Sequence, residues 1–140
     1  MKPIPSVGVL IIENGKVLLV REEEGSSHLT GVYGVPAGRF EEGEDARHAA
    51  ARELNEETGL SCLPEDLVAM PEKYTATIPR KDGTIKTFMK TLFLCRKYSG
   101  EISPQKDTTP FWIEIDKIGD LDLLPNVDKM VSDGLKFVSS

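Results

Sequence analysis

Gly38-Arg39-Phe40-Glu41-Glu42-Gly43-Glu44-Asp45-Ala46-Arg47-His48-Ala49-Ala50-Ala51-Arg52-Glu53-Leu54-Asn55-Glu56-Glu57-Thr58-Gly59-Leu60 is the stretch around which the chain is organised. Its opening residues read as a loop. From Asp45 to Thr58 the residues are strong helix formers, with acids at the start and Gly59 in the usual stop position. At about 100° per residue, Ala46, Ala49, Ala50, Glu53, Glu56 and Glu57 fall on one stripe. The stripe is small and apolar where the helix begins and carboxylate where it ends. That order carries an electrostatic cost. Glu53 faces Glu56 and Glu57 at helical spacing, and all three lie where the helix dipole disfavours anions. Spacing alone leaves two readings open: a solvated acidic face, or a site for a hard cation such as Mg²⁺ or Mn²⁺.

The rest of the sequence narrows the class. A chain of 140 residues with 39% hydrophobic and 29% charged residues is expected to fold as one globular domain spanning 1–140. A net charge of -6 argues against a broad grip on nucleic-acid phosphates, so no nucleic-acid partner is expected. A phosphorylated small molecule remains open to an acidic protein when a divalent metal bridges the two. No apolar run reaches membrane-spanning length, and Met1-Lys2-Pro3-Ile4-Pro5 lacks a signal-peptide core, which makes the cytoplasm the expected compartment. Cys62 and Cys95 stand in unrelated contexts and read as buried thiols.

Ser6 to Ile12 and Val17 to Val20 are apolar runs flanking Asn14-Gly15, a hairpin signal. Both runs are nearly continuous in Val, Ile and Leu, as in a sheet covered on both faces. Arg21 ends the second run. Glu22 to Thr30 reads as a loop, with His28 expected in solvent. Gly31 to Gly38 reads as a brief strand and a tight turn into the acidic helix. Asp66 to Ile78 is extended but interrupted by Pro71, and Asp82-Gly83 turns into a strand over Thr84 to Arg96. Pro104 to Pro110 reads as loop, Phe111 to Ile115 as a last strand, and Asn126 to Phe137 as a closing helix. The expected apolar positions of that helix are Val127, Met130, Val131, Leu135 and Val138. The sum is an α/β fold, a mixed sheet with helices on both faces.

Gly38, five residues, Glu44, seven residues, Arg52-Glu53-Leu54, one residue, Glu56-Glu57, one residue and Gly59-Leu60 together resemble the Nudix box of the Nudix hydrolases. The resemblance favours the cation reading and implies a Nudix-type α/β/α sandwich with a central mixed sheet. It implies metal-dependent hydrolysis of a pyrophosphate linkage in a nucleoside diphosphate derivative or nucleoside triphosphate. Glu53, Glu56, Glu57 and a backbone carbonyl at Gly38 are the implied ligands of Mg²⁺, with Mn²⁺ as the alternative ion. Glu53 is also a candidate proton acceptor, Arg52 the residue that positions a box glutamate, and Glu44 an outer group. Arg21, Arg39 and Tyr33 are candidate substrate contacts, with Tyr74, Phe88 and Trp112 as further aromatics for a base. A homodimer is a family-level expectation. Two positions depart from the family pattern: Tyr33 replaces a tryptophan, and Thr109 replaces a glutamate, leaving Asp107 and Glu101 as weak substitutes. A nucleotide-sensing module, an RNA 5′-pyrophosphohydrolase and a diphosphate isomerase are the rival readings. The intact glutamates oppose the first, the acidic balance gives the second no support, and the short chain disfavours the third.

Overall fold

In the computed structural model, which describes residues 2–139, eight strands and two α-helices are arranged around two four-stranded sheets. The first sheet has the order β5 (Ala37–Arg39), β1 (Ile4–Leu10), β7 (Ile85–Cys95), β6 (Leu67–Pro79). Strand β1 runs parallel to β7 and antiparallel to β5, so this sheet is mixed. The second sheet places β3 (Lys16–Glu22) between β4 (Tyr33–Gly34) and β8 (Thr108–Glu114), with β2 (Ile12–Glu13) also paired to β3.

Strand β1 carries apolar side chains on both faces, and each face has its own core. Val7, Val9 and Ile11 meet Ala49, Ala50 and Leu54 of helix α1 (Ala46–Thr58). Leu10 meets Met130 and Val131 of helix α2 (Val127–Ser139). The helices therefore cover opposite faces, as an α/β/α sandwich requires. Asp45 caps α1 by accepting the His48 N–H at 2.9 Å, and Gly59, at φ 85°, closes it by donating to the Asn55 carbonyl.

Three sequence expectations are corrected. The apolar run before Asn14-Gly15 does not form one long hairpin with β3. Asn14 and Gly15, at φ 52° and 74°, turn only β2 into β3, while β1 leaves for the other sheet. Its two apolar faces fit a strand buried from both sides. The last strand begins at Thr108 rather than Phe111. Pro110 is tolerated there because β8 pairs with β3 on one side only, so a missing N–H breaks no second ladder. In α2, Leu135 and Val138 are exposed, and the buried stripe is Val127, Met130, Val131 and Gly134. A Cβ at Gly134 would overlap Leu10, so its absence lets the helix sit close to β1 on that stripe. Pro71 falls in a register shift of the β6–β7 ladder between Ala69 and Lys73. Among the described residues no helix is long and apolar enough to cross a membrane.

Candidate active site

Helix α1 delivers its carboxylates to the edge of the first sheet. Ala49 and Ala50 are fully buried against β1, and this close seat brings Glu53 and Glu57 to the backbone of β5. Glu57 Oε1 accepts the Ala37 N–H at 2.6 Å. The Glu53 carboxylate lies so close over Gly38 that a Cβ there would collide with it. Burial pushes the Glu53 carboxyl up. It pushes Glu57 well above the usual range, where the charges of Glu22 and Glu53 add to it.

Arg52 holds the outer side of this cluster. Its Nε and Nη2 donate to Glu44 at 2.8 and 2.9 Å, and Nη1 donates to Glu53 at 2.9 Å and Glu56 at 3.1 Å. Nη2 also donates to the Arg39 carbonyl at 3.0 Å, tying the loop to the helix. The bidentate pair with Arg52, helped by the Glu41 N–H, draws the Glu44 carboxyl down to about 2. Glu56 is exposed and its carboxylate turns to Arg52.

Glu57, Gly38 and Arg39 open onto a cavity of about 570 Å³ between the two sheets. Phe88, Tyr74 and Ile78 give it apolar walls, and Lys90, Arg80, Glu22, His28 and Asp107 give it charged and polar ones. Glu22, 5% exposed, is hydrogen-bonded to Ser26 at 3.1 Å, while its other oxygen has no partner. Burial raises its carboxyl to about 7. His28 is partly buried with Nδ1 unpartnered, and its Nε2 lies 3.9 Å from Glu22. Burial first, then Arg80 and Lys90, lowers its imidazole to about 4. The expectation of a solvated His28 is thereby corrected: an isolated bridge to Arg80 folds its loop over the cavity.

The structure separates the remaining candidates. Arg21 lies outside the cavity lining, paired with Glu23 at 2.9 Å and stacked 5.0 Å from the Phe111 ring centroid. Tyr33 also lies outside it, 6.1 Å from Phe111 between ring centroids. Trp112 packs against the α1 core near Tyr98. Thr109 donates to Glu23. Of the substitutes named for that position, Asp107 lines the cavity with Oδ1 unpartnered, whereas Glu101 is exposed and does not line it. Sequence reasoning missed Glu22, Lys90 and Arg80.

The donor chemistry suits a hard divalent cation. Glu53, buried, and Glu57, half-buried, are oxygen donors of like charge, Glu22 adds an orphaned buried oxygen nearby, and a 2+ ion would relieve that repulsion. Among the described residues no three acidic, His or Cys side chains already converge as a cage. Arg52 instead draws Glu53 and Glu56 toward itself.

Glu22 titrates higher in the fold than the ordinary 4.5, so the folded chain holds its proton longer than the unfolded one. The metal-free protein should therefore lose stability as pH rises from about 4.5 to 7. Glu22→Gln should flatten that slope, read from thermal midpoints at pH 5 and 7.5, and an unchanged slope would contradict it.

A NUDIX domain family model matches residues 2–133. The 8-oxo-dGDP phosphatase NUDT18 of Homo sapiens is 31% identical over 101 residues, covering 72% of this chain. The chain spans about a quarter of that relative, 27% of its length. The crystal structure of a MutT NUDIX hydrolase from Burkholderia pseudomallei superposes with a TM-score of 0.79 at 18% identity, covering 95% of this chain and 98% of that one. A bifunctional NMN adenylyltransferase/ADP ribose pyrophosphatase from Francisella tularensis, complexed with AMP and a manganese ion, superposes at 0.69. The identity there is 23%, over 96% of this chain and 42% of that one.

Proposed function

The chain belongs to the NUDIX family, and we propose that it is a divalent-cation-dependent hydrolase of the pyrophosphate linkage in a nucleoside triphosphate or nucleoside diphosphate derivative. The observation that carries this reading is the meeting of two carboxylates with the Ala37-Gly38 backbone, Glu57 on the cavity lining and Glu53 over Gly38, outside that lining. In the reaction, water attacks one phosphorus, the bridging P–O bond breaks, and two phosphorylated products leave.

Glu53 and Glu57, with Glu56 and the Gly38 carbonyl, would hold Mg²⁺ or Mn²⁺. The manganese in the Francisella structure supports this choice of ion. A bound ion there supplies charge neutralisation for the pyrophosphate and a more acidic water. Glu53, pressed on Gly38 and hydrogen-bonded by Arg52, is the proposed acceptor of the water's proton. Arg52 is a positioning residue. Its bidentate grip on Glu44 and its bond to the Arg39 carbonyl fix the guanidinium that orients Glu53. Phe88, Tyr74 and Ile78 offer the cavity's apolar surface to the nucleoside. Arg39, exposed at the rim, is the substrate contact retained from the sequence reading.

The test is a substrate panel with Mg²⁺ and with Mn²⁺, scored for phosphate, pyrophosphate and nucleoside monophosphate. The panel holds nucleoside triphosphates, ADP-ribose, nucleotide sugars and 8-oxo-dGDP, the last because of the human relative. Metal-dependent release from at least one member is expected. Nucleotide binding without any turnover would replace the hydrolase reading with a sensing one.

A further inference from the structure

The cations of the cavity all come from one sheet and its turn. The acids Glu57, Glu22 and Asp107 come from α1, β3 and the segment before β8. The cations Arg39, Lys90 and Arg80 come from β5, β7 and the β6–β7 turn of the other sheet. In a chain of net charge -6, three cations on one wall need an explanation.

Register provides the geometry. Ser6 of β1 lies opposite Arg39 on one side and opposite Lys90 on the other, and Lys90 lies opposite Tyr74. Directly opposite residues share a face, so Arg39, Ser6, Lys90 and Tyr74 form one row across four strands, all on the cavity wall. Two strand spacings separate Arg39 from Lys90, about 10 Å. That length suits a chain of phosphates better than a single one. Ser6 is 4% exposed, and its Oγ is a buried hydroxyl without a partner. The Lys90 stem crosses Gly8, where a Cβ would lie 2.9 Å from Cδ.

Phe88, next on the same face of β7, braces the two guanidiniums. Arg39 and Arg80 each stand 5.5 Å from its ring centroid, so they lie no farther apart than twice that distance. Neither arginine nor Lys90 is within ion-pair distance of a carboxylate among the described residues. Burial lowers the Lys90 ammonium from its ordinary value, the charges of Glu57 and Glu22 oppose that, and neither carboxylate hydrogen-bonds to it, so an anion at the seat would supply the missing partner. Donors held in place and lacking acceptors are what a polyanion seat requires.

We propose that Arg39, Ser6, Lys90 and Arg80 form a polyphosphate seat that takes the free terminal phosphates of a nucleoside triphosphate. The chain then prefers substrates ending in an uncapped phosphate to diphosphates capped by a neutral sugar. The identity of the substrate as a nucleotide rests on the hydrolase reading; the anion seat does not, and it is measured apart from turnover.

Inorganic tripolyphosphate titrated calorimetrically into the whole chain in EDTA reads the seat directly. Wild type should bind. Arg80→Gln and Ser6→Ala should each weaken binding about tenfold, the loss of one hydrogen bond to a charged group. In the presence of Mg²⁺, both variants should raise KM for a nucleoside triphosphate about tenfold with little change in kcat. KM for a nucleotide sugar should stay near wild type. No binding by wild type, or equal losses on capped and uncapped substrates, would overturn the seat. Tripolyphosphate binding that both variants weaken, in a chain that turns over no nucleotide, would leave the seat standing and remove the hydrolase reading.

Discussion

Replacing Glu57 with Gln is expected to lower turnover more than about 100-fold, beyond what removing a mere supporting group costs a metal site. The amide keeps an oxygen for the Ala37 N–H, which Glu57 now receives at 2.6 Å, so the geometry at β5 is preserved. What disappears is the negative charge. Glu57 carries that charge at a cost, because burial and the neighbouring Glu22 and Glu53 all favour its protonated form. A group whose carboxyl is raised in the fold destabilises the folded chain once pH exceeds its unfolded value. Removing the charge should therefore leave the metal-free melting midpoint equal to or above that of wild type at neutral pH, while activity collapses. Opposite signs on stability and turnover are the signature of a group kept for function. Glu56→Gln should cost less than Glu57→Gln, since that side chain is exposed and would have to leave Arg52 to reach the ion. Turnover within threefold of wild type in Glu57→Gln, assayed at saturating Mg²⁺, would remove Glu57 from the reaction.

The readable and unreadable parts of this site differ in sequence separation. Asp45, Gly59 and the Ala49-Ala50-Glu53-Glu57 stripe belong to one helix, where local rules of capping and period apply, and the structure has the cap, the stop and the buried alanines there. Arg52 and Glu44 are eight residues apart and still local. The cavity is a product of strand register. Ser6 meets Lys90 only because β1 runs parallel to β7, and no local pattern announces that pairing. Arg80 reaches Phe88 across a hairpin, and His28 reaches Arg80 through an isolated bridge. Glu22 looked like the first residue of a polar loop, yet it ends β3 with its side chain inward. Arg21, its neighbour, is the substrate contact that the sequence suggests, and the one-residue alternation of a strand turns the two side chains apart. A single-residue error in parity is enough to exchange a cavity residue for one outside it.

Gly38→Ala separates packing from catalysis in the other direction. Gly38 has no positive φ, so alanine meets no backbone strain there, and the added methyl is the whole perturbation. That methyl would fall on the Glu53 carboxylate, touching its carbon and both oxygens. Glu53 cannot simply swing into water, because it is only 9% exposed and Arg52 holds one oxygen at 2.9 Å. The side chain must give up either its place over β5 or its bond to Arg52. Both losses move the carboxylate away from Glu57 and the Ala37-Gly38 backbone, and displacements of about 1 Å cost about 100-fold in a preorganised site. The fold should tolerate the change with a loss of about 1 kcal/mol, the ordinary scale of a single substitution. Turnover should fall by about two orders of magnitude, with tripolyphosphate binding in EDTA near wild type, since the Arg39, Ser6 and Lys90 row lies on the other side of that backbone. A Gly38→Ala chain with full activity would mean that the contact between Glu53 and Gly38 has no part in the reaction, and the proton-accepting role would then pass to a carboxylate that lines the cavity, Asp107 or Glu22.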